Sequence, residues 1–236
     1  MSEAREGILG RLLATADASG PASPGQAAAD GRTATHGGKA NDDSNLDEFL
    51  KALEAVHGEV HRVGTDWPEV IAEMLAAARV DQLWYGANSP HGAQLQARWP
   101  SPSAGSELAG AVPRLKPFDK SIERCREALF ADRSAGFTSA QAAIAETGTL
   151  ILWPGPAEPR TLSLVPEVHC VLLEQSRIVP TLEDWMADYC QQADRPPLPT
   201  NLLLITGPSK SADIEQTLTF GVHGPKRLIV FLKNGN

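Results

Sequence analysis

The sequence predicts an α/β fold in which a layered sheet carries helices on both faces. Two observations lead to this prediction. Apolar residues at helical spacing alternate with short apolar runs along most of the chain after residue 44. In addition, a strand at Leu202–Thr206, a helix at Ser211–Phe220 and a strand at Lys226–Leu232 follow one another directly. This order is that of a βαβ unit, which implies a right-handed crossover and a parallel strand pair.

The chain of 236 residues is long enough for one α/β domain of ordinary size. Ala4–Leu13 has the spacing of a short amphipathic helix. Ala14–Asn45 contains no large aliphatic or aromatic residue and cannot bury enough apolar surface to order itself, so we predict a flexible linker. We therefore assign residues 1–43 to a short helix plus linker and residues 44–236 to the α/β domain.

Within this domain, helices are indicated by apolar spacing and by capping residues. They are predicted to begin at Ser44, at Asp66 with Glu69 as capping-box partner, at Ser89, at Ser121 with Phe130 facing inward, and at Thr181. Strands are indicated by short apolar runs bounded by turn residues. They are predicted at Glu59–Val63, Val80–Tyr85, Arg114–Phe118, Ala142–Ala145, Leu150–Trp153 and Val168–Leu173.

Charge, cysteine content and the distribution of apolar residues argue against several classes of protein. The formal net charge of -8 and the pI of about 5.3 disfavour a nucleic-acid partner, which would need a basic surface. Cys125, Cys170 and Cys190 are widely spaced, so we expect free thiols and no cluster or structural zinc held by this chain. We see neither a secretory signal nor a membrane span, and expect a cytoplasmic protein.

The loop from Thr206 to Ser211 is the first candidate ligand site. It runs from a predicted strand into a predicted helix, where backbone N–H groups attract anions. Gly207, Ser209, Lys210 and Ser211 are the residues that would bind a carboxylate or phosphate there. The alternative is that a serine only caps the helix, and the GxxxxGK[ST] pattern of a nucleotide-binding loop is absent.

The turn Glu146-Thr147-Gly148-Thr149 is the second candidate. Gly148 allows a close backbone approach or a positive φ, and the two threonines offer hydroxyl groups. The Glu146 carboxylate is the candidate catalytic group, as a base or a nucleophile. The alternative is an ordinary turn between two strands with solvated polar groups.

Two histidines lie next to predicted strand ends. His169 begins a strand, and His223 lies in a glycine-rich turn with Gly224. Both are candidate ligand-binding residues, although His223 could also be a turn residue that bonds only to the backbone. Glu167 would complete a three-ligand metal site with them, but ligands spread over distant segments are weak evidence, and we predict no metal. The motifs of serine hydrolases and Rossmann dehydrogenases are absent.

Taken in order, these segments resemble the lactate utilization protein C family, which carries the LUD domain. The segments that carry the resemblance are Ala145–Leu150 (AETGTL), Val165–His169 (VPEVH), Ile178–Asp184 (IVPTLED), Gly207–Glu215 (GPSKSADIE) and Gly221–Pro225 (GVHGP). Five matches in the right order make a specific signal. The resemblance is strong from about Gly136 onward and weaker before it.

The resemblance implies a fold similar to the NagB/RpiA/CoA-transferase-like proteins. It also implies a part in an iron–sulfur-dependent system that oxidises L-lactate to pyruvate. In that system the clusters belong to cysteine-rich partner proteins, so this chain would need no cofactor of its own. Three functions then remain open. The chain binds a small carboxylate and docks on iron–sulfur partners, or it is a CoA-transferase-like or ligase-like enzyme that uses Glu146, or it is a structural assembly factor.

Overall fold

The computed structural model describes residues 39–100, 112–119, 122–194, 196–212, 218–221 and 223–234. The α-helices are α1 (Lys39–Ala55), α2 (Trp67–Ala77), α3 (Pro90–Arg98), α4 (Ile122–Leu129), α5 (Thr161–Leu164) and α6 (Leu182–Gln191). The first strands are β1 (Glu59–Val63), β2 (Gln82–Tyr85), β3 (Arg114–Pro117), β4 (Ser134–Ser139), β5 (Ala142–Ile144) and β6 (Thr149–Leu152). The later strands are β7 (Val168–Glu174), β8 (Ile178–Val179), β9 (Leu203–Ile205), β10 (Lys210–Ala212), β11 (Leu218–Phe220) and β12 (Arg227–Lys233).

A parallel sheet with the strand order β1-β12-β7-β4-β2-β3 forms the centre of the domain. Its middle strands β7 and β12 are apolar on both faces, as expected for a parallel sheet that is covered on both sides. Since successive side chains of a strand point to opposite faces, each strand contributes to two separate cores. The α/β class predicted from the sequence is confirmed.

On one face, α2 and α3 cover the sheet. Ile71 and Leu75 of α2 pack with Phe137 and Phe231, and Trp67 stacks on Phe137 with ring centroids 5.3 Å apart. Stacked rings at this distance add to the free energy gained by burying them. This core holds the helical layer against the sheet.

On the other face, α1 and a second sheet cover the centre. The second sheet has the order β8-β5-β6-β9, in which β5 and β9 both run antiparallel to β6. Phe49 and Leu53 of α1 pack with Leu150 of this sheet and with Val171 and Val230 of the central one. Helices α4 and α5 cover the rest of this face, where Leu129 and Leu162 pack with Trp84, so both faces of the central sheet carry helices.

Several local predictions need correction. Helix α1 begins at Lys39, so Ser44 lies inside it and does not cap it, and residues 39–45 are not linker. Asp66 makes no side-chain cap; its carboxylate instead accepts a hydrogen bond from the Gly64 N–H at 3.2 Å. Phe130 does not face inward, since 59% of it is exposed. The predicted helix Ala4–Leu13 and the rest of the linker lie outside the described residues.

The predicted C-terminal βαβ unit is wrong. The ends of the expected helix form the antiparallel pair β10 and β11, in which Lys210 lies opposite Phe220 and Ala212 opposite Leu218. Strand β9 pairs with β6 in the second sheet, whereas β12 pairs with β1 and β7 in the central sheet. Because β9 and β12 belong to different sheets, no crossover helix is needed between them.

The described helices include none with the length and the apolar composition that a membrane span requires.

Candidate functional site

A cavity of about 230 Å³ lies at the amino ends of β7 and β12, beside the end of β9. It brings together segments that are far apart in sequence. Five of the predicted binding residues line it, namely His169, Gly207, Ser209, His223 and Gly224. The remaining lining residues are Ser163, Leu164, Leu204, Ile205, Thr206, Pro225 and Leu228. The site therefore lies at the amino edge of the sheet, opposite the carboxyl edge, where open α/β sheets usually bind ligands.

His169 and Ser163 are the buried polar residues that line this cavity, and His169 is the one with an ionisable ring. It is the second residue of β7, where β4 and β12 flank it, and only 1% of it is exposed. Its Nε2 lies 2.8 Å from Thr138 Oγ1 on β4. Burial lowers the pKa of His169 to about 3, because a charged imidazole would lose its hydration. At neutral pH the ring is therefore uncharged and offers one donor and one acceptor.

A chain of threonine hydroxyl groups connects the turn between β5 and β6 to the cavity. Thr147 Oγ1 lies 2.7 Å from Thr149 Oγ1, which lies 2.8 Å from Thr206 Oγ1. Thr206 lines the cavity, whereas Thr147 and Thr149 do not. The two predicted loops thus meet through their side chains, but only the loop after β9 reaches the cavity. Thr206 was part of that loop in the sequence but was not singled out as a binding residue.

Gly148 serves helix packing at this turn. Its φ is +63°, and a Cβ at this position would lie 2.5 Å from the backbone N of Leu53 in α1. The turn thus forms a seat for α1, and only a residue without a side chain allows the contact. The side chain of Glu146 is exposed and does not line the cavity. Its assignment as a catalytic group stays a prediction.

The helix N-terminus at which an anion was expected to bind does not form after Gly207, and a ligand-binding role of Lys210 and Ser211 stays a prediction. Lys210 and Ser211 belong to β10, and the side chain of Lys210 is exposed. The Ser209 N–H donates to the Pro225 carbonyl at 2.8 Å, and the Ser209 carbonyl accepts from the Gly221 N–H at 2.9 Å. These backbone groups are used to fix the base of the β10–β11 pair. The Ser209 side chain still lines the cavity.

His223 is exposed at the mouth of the cavity, beside Gly224. A neighbouring depression of about 500 Å³ shares His223, Gly224 and Leu164 with the cavity and includes Phe130. Phe130 is 59% exposed and Leu164 is 40% exposed. The amino edge therefore combines a small cavity with an adjacent depression, in which the exposed Phe130 and Leu164 lie near the charged residues Asp132, Glu167 and Lys226.

Glu167 does not act with the two histidines. Its carboxylate accepts a hydrogen bond from Lys226 Nζ at 2.9 Å and another from the Arg133 N–H at 2.7 Å. The hydrogen bond from Lys226 is the largest cause that holds the pKa of Glu167 below its ordinary value. Across the described residues, no group of three or more His, Cys, Asp or Glu side chains is placed to hold a metal ion.

The arrangement suits a small polar molecule. The walls from Leu204, Ile205 and Leu228 are apolar, and hydroxyl groups of Thr206 and Ser209 provide donors. The volume of about 230 Å³ is below the range of about 300–1,000 Å³ that holds drug-sized ligands. The cavity can therefore bind a molecule of a few heavy atoms, oriented by hydroxyl and imidazole groups.

Comparison with known proteins gives a family match over most of the chain. The sequence profile of the LUD domain matches residues 46–232. The chain is 34% identical over 186 residues to an uncharacterized protein of Neisseria meningitidis serogroup B, which covers 78% of this chain and 75% of that protein. It is 30% identical over 184 residues to the lactate utilization protein C of Shouchella clausii, which covers 78% of each protein.

A third relative is the lactate utilization protein C of a Geobacillus strain, at 31% identity over 183 residues, 77% of this chain and 66% of that protein. The aligned region is thus just under two thirds of the Geobacillus protein. Among solved structures, the chain is similar to a DUF162 family protein from Deinococcus radiodurans, with a TM-score of 0.52 and 23% identity. That match covers 82% of this chain and 98% of the other and supports the fold.

Proposed function

Since this chain belongs to the LUD domain family, we propose that it takes part in lactate utilization. Two relatives that align over 77% and 78% of this chain carry the name lactate utilization protein C. We further propose that the chain binds a small carboxylate, such as lactate or pyruvate, in the cavity at the amino edge. In this proposal it works together with partner proteins that carry iron–sulfur clusters.

The observation that carries the proposal is the meeting of three family segments in one small cavity. His169, Ser209 and His223 come from separate stretches of the chain and line the same space. A carboxylate is a strong hydrogen-bond acceptor, and hydroxyl and imidazole donors are suited to bind it. The volume of about 230 Å³ fits a molecule with few heavy atoms.

Oxidation of lactate to pyruvate releases electrons, which need an acceptor. Two of the three cysteines of this chain suit that role poorly, and the third, Cys190, is exposed. Cys125 and Cys170 are buried, and burial raises the pKa of the Cys170 thiol to about 12. A thiol that stays protonated is a poor metal ligand, because metals bind the thiolate. We therefore assign electron transfer to clusters in a partner protein and substrate binding to this chain.

The partner would contact the depression beside the cavity. Phe130 and Leu164 are exposed there and lie next to His223 at the cavity mouth. A partner at this position would be close to the bound carboxylate. If so, the tagged chain purified from its own cells should contain a stoichiometric amount of iron, which comes from the bound partner. Phe130→Ser should lower the iron content of the preparation without changing the yield of the chain. Absence of iron from the wild-type preparation would contradict the partner assignment.

Calorimetry with purified protein and sodium L-lactate tests carboxylate binding directly. We expect Thr206→Val to weaken binding about tenfold, since a lost hydrogen bond to a charged group costs about 1.5–3 kcal/mol. Thr65→Val is the matched control, because Thr65 is an exposed threonine outside the cavity. Equal affinities of wild type and Thr206→Val would remove this cavity from the proposal.

Lactate-dependent dye reduction in cell extracts tests the role in the cell. A deletion strain without other lactate dehydrogenases should lose the activity, and the restored gene should return it. Full activity without the gene would contradict a role in lactate utilization. In the same assay, Glu146→Gln tests the alternative that the chain is a CoA-transferase-like or ligase-like enzyme that uses Glu146. Unchanged activity argues against an enzyme that uses Glu146, and lost activity argues for it.

A further inference from the structure

The order of the strands defines a second place where a ligand can bind. From β2 the chain goes outward to β3 at the sheet edge, whereas from β4 it continues in the opposite direction through β7 to β12. Strands β2 and β4 are neighbours, with Leu83 opposite Ala135. The direction of winding therefore reverses between them. In open α/β sheets, such a reversal leaves a crevice beyond the carboxyl ends of the two strands.

A cavity of about 780 Å³ lies at this reversal. Ser89 and Pro90 follow β2, Ser139 is the last residue of β4, and Gln141 follows it. Two proline-rich segments, residues 153–158 and 196–201, form the remaining walls. This crevice is at the opposite edge of the sheet from the 230 Å³ cavity, and the two have no lining residue in common.

The segment 153–158 lies close to the end of β2 because Gly86 has no side chain. A Cβ on Gly86, the residue after β2, would lie 1.8 Å from the Ala157 carbonyl oxygen. Such a distance is impossible for a real Cβ, so only glycine allows residues 153–158 to close over the strand end. The crevice is thus built into the fold where the two segments meet.

Glu158 is the charged group of this crevice. Its Oε2 accepts hydrogen bonds from the Ser139 N–H at 2.8 Å and the Ser139 hydroxyl at 2.9 Å. Its Oε1 is shielded from solvent and has no hydrogen-bond partner among the described residues. A shielded acceptor without a partner destabilises the protein, because the hydrogen bond to water that it has lost is not replaced. A ligand donor that reaches this carboxylate would remove that cost.

The rest of the lining indicates which ligand this would be. Among the described lining residues Glu158 is the only charged one, and its negative charge favours a cationic or neutral ligand over an anion. Trp153 and several prolines provide apolar surface, which suits a flat ring. We propose that the crevice at the carboxyl ends of β2 and β4 is a second ligand site, for a neutral or cationic ring compound whose N–H group donates to Glu158.

Two probes with the same ring and opposite charge test this proposal. Tryptamine carries an ammonium group on an indole, and indole-3-propionate carries a carboxylate. By calorimetry on the full chain, we expect tryptamine to bind at least tenfold more tightly than indole-3-propionate. We expect adenosine, a neutral ring with an exocyclic amine, to bind as well. Failure of both tryptamine and adenosine to bind at millimolar concentration overturns the proposal, as does equal binding of the two indoles.

Two variants locate the binding within the protein. Glu158→Gln removes the charge, and we expect it to weaken tryptamine binding about tenfold or more. Glu73→Gln, an exposed position on α2, makes the same change outside the crevice and should leave the affinity unchanged. Asn201→Trp obstructs the crevice from an exposed position and should abolish binding even if Glu158→Gln fails to fold. Unchanged tryptamine affinity in Asn201→Trp would overturn the assignment, whatever happens to lactate binding at the other cavity.

Discussion

Replacing Gly148 by alanine is the sharpest test of how α1 is held on the domain. The turn that contains Gly148 touches α1 backbone to backbone, with the new Cβ 2.5 Å from Leu53 N and 2.8 Å from the Ala52 carbonyl carbon. Neither atom belongs to a flexible side chain that could rotate away. The methyl group must therefore push α1 outward or distort the turn.

The expected cost has two parts. A left-handed φ of +63° costs an alanine about 1–2 kcal/mol relative to its preferred conformations. Forcing an extra methyl group into a packed contact costs about 1–3 kcal/mol. We therefore expect Gly148→Ala to lower the free energy of unfolding by about 2–5 kcal/mol. This is a large part of the total stability of an ordinary domain.

Urea unfolding followed by circular dichroism measures this loss. Gly155→Ala is the control, because a Cβ at Gly155 meets no atom within 4 Å and its φ is not positive. The free energy of unfolding of that variant should lie within about 0.5 kcal/mol of the wild-type value or slightly above it. If Gly148→Ala also stays within about 0.5 kcal/mol of wild type, the close packing of α1 on this turn is wrong.

Three further predictions concern buried and paired groups. Because the pKa of His169 is about 3 when folded and about 6.5 when unfolded, only the unfolded chain takes up this proton between those values. Between pH 7 and pH 5, the free energy of unfolding in urea should therefore fall by about 2 kcal/mol more for wild type than for His169→Gln. An equal fall in both proteins would contradict a buried neutral ring. Thr138→Val leaves His169 without its hydroxyl partner and should cost about 1–3 kcal/mol, whereas Thr138→Ser should cost less. Glu59→Gln breaks a partly exposed bidentate ion pair with Arg227. It should lower the free energy of unfolding by at most about 1 kcal/mol at low salt and by less at high salt. A loss that does not change with salt would argue against an ionic contribution.

Features that depend on local chemistry could be predicted from the sequence. The turn at Gly148 and the cap at Thr181 are examples, since the Thr181 hydroxyl accepts from the Asp184 N–H at 3.1 Å. In both cases the residue type fixes the backbone within a few positions. The predicted cavity residues His169, Ser209 and His223 also met in space, because the family segments that contain them converge at the amino edge.

Features that depend on distant partners could not be predicted. Strand β4 reads Ser-Ala-Gly-Phe-Thr-Ser and has no apolar run, yet it lies in the middle of the sheet. Its small residues are needed because α5 approaches closely, so that a Cβ on Gly136 would lie 2.0 Å from the Leu162 carbonyl oxygen. Helix α5 has only four residues and gives no periodic signal. The pairing of residues 210–212 with residues 218–220 likewise depends on contacts that helical spacing does not reveal.

The position of β12 has a consequence for how the chain folds. This strand lies between β1 and β7, and its Arg227 pairs with Glu59, 168 positions earlier in sequence. Until β12 is in place, β1 and β7 each present an unpaired strand edge, which is a template for association with other chains. Contacts between such distant residues slow folding, because a long loop must close before the pairing is gained. During synthesis on the ribosome, the central sheet therefore stays open until nearly the whole described domain has emerged, and we expect the chain to be most prone to association in that interval.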